Sequence, residues 1–166
     1  MEQFKLVCPC LLGMEGLVAE ELRRMNAQNV RPENGRVLCD GDFTMLARIN
    51  LCSRFAERVQ IFMGTFRADT FDSLFEQIKT LPWENFIGKK DRFPVKGKAL
   101  SSKLMSVPDC QSIIKKAVVE RLKSKYRIEW FEETGHLYQI QFLILKDMVS
   151  MMIDTSGTGL YKRGYR

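Results

Sequence analysis

The feature that most restricts the fold of this chain is the order of its apolar runs ahead of Ala68. Residues 4–8 form a short β-prone run, punctuated by Gly13. From Met14 onward, Leu17, Val18, Leu22 and Met25 recur at three and four residues, with Glu15, Glu20, Glu21, Arg23 and Arg24 off that stripe. That spacing places the apolar groups on one face of an α-helix. Residues 29–31 and 36–39 are β-prone and flank a turn over residues 32–35, where Asn34-Gly35 signals a hairpin. Asp42 can cap a helix whose apolar positions include Phe43, Leu46, Ala47 and Ile49. Residues 57–62 then read as another strand. The resulting β-α-β-β-α-β order is the split βαβ, or ferredoxin-like, unit.

A second α/β unit follows, so the fold class is α+β. Asp69 or Thr70 can cap a helix carrying Phe71, Leu74, Phe75 and Ile78, and Pro82 stops it. Residues 93–95 read as a short strand. Pro108 suits the first turn of a helix, where its missing N–H costs nothing, and Ile113, Ile114, Ala117, Val118 and Leu122 give that helix its apolar stripe. Residues 138–145 read as a largely buried strand. Lys146-Asp147 turns it into an antiparallel partner at residues 149–153.

Charge is where function first shows. The 166 residues include 26 Lys or Arg against 20 Asp or Glu, a net charge of +6. From Lys89 to Arg127 the chain has twelve basic and three acidic residues, so this segment carries +9 and the remainder −3. A local excess of this kind is an argument about a partner. The segment has a basic entry (Lys89, Lys90, Arg92), a strand with Lys96 and Lys98, and a loop with Ser101, Ser102 and Lys103. A helix with Lys115 and Lys116 off its apolar stripe follows. Hydroxyls and a helix N-terminus beside lysines suit phosphate, so the expected partner is nucleic acid. A membrane is not expected as a partner. No helix here has a large exposed apolar face, and no apolar run reaches the roughly 20 residues of a span. No secretory signal opens the chain, so the expected location is the cytoplasm.

The chain closes on Leu160-Tyr161-Lys162-Arg163-Gly164-Tyr165-Arg166. Cations and tyrosines so close together can grip a backbone and stack on bases. The segment can equally be a linker whose tyrosines pack against the domain, and spacing alone leaves both open.

Catalytic constellations are not found. Five cysteines at irregular spacing are no disulfide framework, and Cys8-Pro9-Cys10 is too tight for a usual zinc knuckle with no second pair to complete it. They read as small apolar residues beside a strand. A free-standing thiol enzyme using Cys8 or Cys10 is the rival reading. His136, the single histidine, reads as an exposed turn residue between Gly135 and Leu137. Gly157-Thr158-Gly159 is a lone pair of glycines, with Lys162 where a dinucleotide fingerprint needs its third. The chain itself is therefore expected to hold no cofactor and no metal and to be catalytically inert.

The terminal Asp154-Thr155-Ser156-Gly157-x-x-Leu160-x-Lys162-Arg163-Gly164-Tyr165-Arg166 resembles the signature that joins the THUMP and catalytic domains of bacterial large-subunit rRNA guanine-N2 methyltransferases. Other segments agree: Gly13-x-Glu15; Asn50-Leu51-x-x-Arg54-x-x-Glu57-Arg58-Val59; Phe71-Asp72-x-Leu74-Phe75 with Leu81-Pro82-Trp83; and Lys103-Leu104-x-Ser106-Val107-Pro108 with Lys115-Lys116-Ala117. The chain departs from the family at Cys8-Pro9-Cys10, usually small residues, and at Tyr161, where histidine is common.

The resemblance implies a ferredoxin-like domain over residues 1–66, a THUMP domain that binds RNA over residues 67–155, and a linker over residues 156–166. The linker would lead to a methyltransferase domain that uses S-adenosylmethionine and lies outside this chain. The implied partners are RNA, above all rRNA, and that methyltransferase domain. The expected RNA contacts are Lys96, Lys98, Ser101, Lys103, Lys115, Lys116, Lys162 and Arg163. THUMP domains also accompany tRNA thiolation and deamination enzymes, and a basic face can instead dock an acidic protein. These two readings are the alternatives.

Overall fold

In the computed structural model, which describes residues 2–164, the chain divides into two compact units. The first holds the chain up to Phe62 together with the segment from Asp154. The second is Met63–Ile153.

The first unit has the β-α-β-β-α-β order read from the sequence: β1 (Phe4–Pro9), α1 (Glu15–Arg24), β2 (Gln28–Glu33), β3 (Arg36–Gly41), α2 (Phe43–Cys52) and the start of β4 (Gln60–Arg67), whose residues from Met63 onward belong to the second unit. Its strands lie in the order β2-β3-β1-β4, with β1 antiparallel to both β3 and β4. Leu6 pairs with Cys39 on one side and Ile61 on the other, so the buried side chains of the central strand meet neighbours in register. Asp42 caps α2 as expected, accepting the Met45 amide at 2.9 Å. The Glu15 carboxylate accepts the amides of Gly13 and Gly35, each at 2.9 Å, and ties the start of α1 to the hairpin turn. Those donors hold its carboxyl below the usual range, with the Gly35 amide the larger cause.

Three local expectations are corrected. The buried stripe of α1 is Val18, Ala19 and Leu22, while Leu17 is exposed, because the helix turns a narrower face to the sheet than its leucine spacing suggests. In α2 only Ile49 is fully buried, and Phe43 lies edge-on to Phe4 at 4.9 Å near the surface. Strand β2 runs through Pro32 to Glu33. A proline is tolerated there because β2 is the sheet edge, where no further strand needs its N–H. The turn is therefore Asn34-Gly35 alone, with Gly35 at φ +73°.

The second unit contains α3 (Phe71–Lys79), a 3-10 turn (Trp83–Asn85), β5 (Val95–Leu100), α4 (Val107–Tyr126), β6 (Ile140–Leu145) and β7 (Met148–Asp154). Strands β7, β6 and β5 lie side by side with β5 at the edge, antiparallel between β6 and β7 and parallel between β5 and β6. Thr70 caps α3 by accepting the Ser73 amide at 3.1 Å. Lys146 and Asp147 both take left-handed conformations, φ 50° and 63°, as a tight two-residue hairpin requires. The strand expected at residues 93–95 forms instead at Val95–Leu100, since Phe93 is drawn into the core and Pro94 has no N–H to give a ladder. Helices α3 and α4 close over Leu74, Ile78, Trp83, Cys110, Ile114 and Leu122, all fully buried. The Arg121 guanidinium holds Glu84 with bonds of 2.8 and 3.1 Å at the rim of that core.

Cys8, Cys10, Cys39 and Cys110 are buried free thiols, and Cys52 is exposed. Burial pushes the Cys8 thiol well up and that of Cys39 to about 12, so neither supplies a nucleophilic thiolate near neutral pH. Among the described residues no His, Cys, Asp and Glu cluster could hold a metal ion, and no helix is long and apolar enough to cross a membrane.

Candidate functional site

The alternation of β5 sorts its side chains onto two faces. Val95, Gly97 and Ala99 pair with the buried Ile140, Phe142 and Ile144 of β6. Gly97 is required there, because a Cβ would meet the Phe142 carbonyl oxygen at 2.3 Å. Phe93, on the same face, touches α4 through Lys115, whose Nζ lies 3.7 Å from its ring centroid. Lys96 and Lys98 therefore point away from α4, exposed, with no carboxylate partner among the described residues. Leu100, Leu145 and Met148 stand in one cross-strand row on this open face and are themselves half exposed.

Beyond β5 the chain turns sharply at Ser101, φ 50°. The loop is pinned from the β6–β7 turn. One carboxylate oxygen of Asp147 accepts the Ser102 hydroxyl at 2.8 Å and the Lys103 amide at 2.9 Å, and the Ser102 oxygen accepts the Leu104 amide at 3.1 Å. Ser102 is thereby buried, while Ser101 and Lys103 stay at the surface. The Lys103 ammonium reaches Asp69 at 3.6 Å, an exposed pair of small energetic weight. Asp147 is the site residue that sequence reading missed. It was visible only as half of a turn, and its partners are more than forty residues away.

The eight expected contacts thus fall into separate places. Lys96, Lys98, Ser101 and Lys103 form one continuous strand and loop. Lys116 is exposed on α4, with its ammonium 5.8 Å from the Phe75 ring. Lys115 donates to the Phe93 carbonyl at 3.2 Å and to Glu133 at 3.0 Å, so its charge is engaged within the second unit. Lys162 and Arg163 belong to the first unit. There Lys162 is exposed beside the Tyr161 ring, and the Arg163 guanidinium donates to the carbonyls of Asn50, Leu51 and Ser53. Tyr165 and Arg166 of the terminal motif lie outside the described residues.

The Lys103 amide, then the Ser102 hydroxyl, hold the Asp147 carboxyl below its ordinary value of 3.8. A depressed carboxyl stabilises the folded loop fully above 3.8, and this is lost as the pH falls through the lower folded value. In an NMR titration the Lys103 amide is expected to shift with a midpoint below 3.8, and Asp147→Asn is expected to abolish that titration. A midpoint at or above 3.8 would contradict the pinning.

Comparison with known proteins finds the RlmL ferredoxin-like domain over residues 5–60 and the THUMP domain over residues 68–154. The chain is 44% identical over 168 residues to "Putative RNA methyltransferase YpsC" of Bacillus subtilis, covering all of this chain and 43% of that protein. It is 30% identical to "Ribosomal RNA large subunit methyltransferase K/L" of Magnetococcus marinus, covering 93% of this chain and 22% of that protein. Among solved structures it matches "a predicted N6-adenine-specific DNA methylase from Listeria monocytogenes" with TM-score 0.96 and 48% identity, over all of this chain and 44% of that one. It also matches "SMU.472, a putative methyltransferase complexed with SAH" with TM-score 0.95 and 39% identity, over all of this chain and 45% of that one. The chain spans less than half the length of each of these relatives.

Proposed function

Because the chain belongs to the THUMP-domain family, with an RlmL ferredoxin-like domain ahead of the THUMP domain, we propose that it is the RNA-binding part of a longer RNA methyltransferase. In this reading the ferredoxin-like domain takes residues 1–66, the THUMP domain residues 67–155, and residues 156–166 lead to the catalytic domain. The two domains present structured ribosomal RNA in the cytoplasm, and the methyl acceptor is a guanine N2 amine. The names of YpsC and of the K/L enzyme support RNA over DNA as the substrate, against the wording attached to the Listeria structure.

The observation that carries the proposal is the strand and loop Lys96, Lys98, Ser101 and Lys103. Three ammonium groups follow one another along an open surface, and the loop that bears the last is held rigid by Asp147. Lysines on a fixed spacing neutralise successive phosphates, and double-stranded RNA is recognised chiefly by its shape and backbone. Lys116, exposed on α4, is a separate charge and not part of that strand and loop.

S-adenosylmethionine is the methyl donor of this reading, as the SAH-bound relative suggests. The residues of this chain do not fit it. Gly157, at φ +65°, turns under the Asp154 carboxylate, which accepts its amide at 3.1 Å, and a Cβ on Gly159 would meet the Tyr161 ring at 2.5 Å. Gly157 shapes an exposed turn, and the buried Gly159 precedes only a three-residue 3-10 turn, Leu160–Lys162, so neither opens an α-helix onto a cofactor, and the cofactor site is assigned to the catalytic domain.

Titration of a fluorescent RNA hairpin, with polyglutamate of equal charge as competitor, tests the proposal. The hairpin is expected to bind at least about tenfold more tightly than the polypeptide, because phosphate charge density drives counterion release. Equal affinity would favour docking to an acidic protein.

A further inference from the structure

The geometry points to Arg163 as a positioning residue. We infer that it caps the C-terminal end of α2 from the far end of the chain and so fixes the course of residues 154–164. The last carbonyls of an α-helix have no partner within the helix and carry partial negative charge. Helix α2 has no basic residue in its own last turn. The Arg163 guanidinium fills that role, donating to the carbonyls of Asn50, Leu51 and Ser53, while its Nε–H donates to the Leu160 carbonyl at 3.0 Å. A planar fork with five donors can serve several carbonyls at once, which a lysine ammonium does less well.

The rest of the segment is tied to the same place. Asn50 donates to the Thr155 hydroxyl at 3.2 Å and accepts the Ser156 hydroxyl at 2.6 Å. The Thr155 hydroxyl donates to the Val59 carbonyl at 2.7 Å, and the Ser156 oxygen accepts the Val59 amide at 2.9 Å. Arg58 holds Asp154 at 3.0 Å, and the Leu160 amide donates to the Glu57 carbonyl at 2.7 Å. The motif at Asn50, Glu57, Arg58 and Val59 and the motif at Asp154 to Arg163 are therefore two halves of one clasp. As a basic tail, Lys162-Arg163 has the composition of a nucleic-acid contact, yet its arginine is consumed by backbone carbonyls. In the longer protein this clasp would set the direction in which the chain leaves for the next domain, a consequence that rests on the proposed function. The clasp itself does not.

The test uses the 166-residue chain with Arg163→Ala, Arg163→Lys and, as a charge-matched control, Lys162→Ala. Hydrogen exchange at the Thr155, Val59 and Leu160 amides is expected to speed up about tenfold or more in both Arg163 variants and to stay within about twofold in the control. RNA affinity is expected to fall no further in Arg163→Ala than in Lys162→Ala. Arg163→Lys restoring full protection would overturn the capping role. So would unchanged exchange in Arg163→Ala, with or without a selective loss of RNA affinity. The exchange readout stands whether or not the chain binds RNA.

Discussion

Replacing Trp83 by alanine is expected to cost the second unit about 3–5 kcal/mol and to lower its melting temperature by about 12 °C or more. Trp83 is the largest of the fully buried side chains, and its indole N–H donates to the Ile78 carbonyl at 2.9 Å at the end of α3. Alanine would leave a cavity and strip one donor from a buried carbonyl, two penalties that add. The cavity would open beside Glu84, whose carboxylate is held by Arg121 on α4, so the α3–α4 packing would loosen with it. Trp83→Phe keeps most of the volume and loses only the hydrogen bond, so it should fall between the two. Thermal unfolding followed by circular dichroism checks this. A shift of no more than about 2 °C for the alanine variant would show that the 3-10 turn is not part of the core.

The fold was legible where local chemistry and periodicity agree. Asp42 and Thr70 cap the helices they were expected to cap, and Lys146-Asp147 makes its tight turn, because each depends on residues within four positions along the chain. Burial was less legible. Leu17 and Phe43 have the right spacing for a core face and yet are exposed, since periodicity does not encode how wide a face of each helix is covered. The basic segment was legible as charge, and the surroundings of its individual cations were not. Lys96 and Lys98 stand open, and Lys103 stays exposed with its ammonium beside Asp69 at 3.6 Å. Lys115 and Arg163 look equivalent to them in sequence and are held by Glu133 and by helix carbonyls. Only distant residues distinguish the two classes, as Asp147 also illustrates.

The most direct test is the salt dependence of RNA binding by the double variant Lys98→Ala, Lys103→Ala. If about four phosphates are neutralised, the log–log slope for the unaltered chain should be roughly −3. The double variant should bind about tenfold or more weakly at physiological salt and flatten the slope by up to about two. Its fold should survive, because both side chains are exposed and surface changes usually stay within about 0.5 kcal/mol. Lys5→Ala with Arg23→Ala is the matched control, removing two exposed charges from the first unit. The account predicts a weakened, flattened response for the first pair and a nearly unchanged slope for the second. Equal weakening by both pairs would contradict it, because net charge alone would then explain the binding.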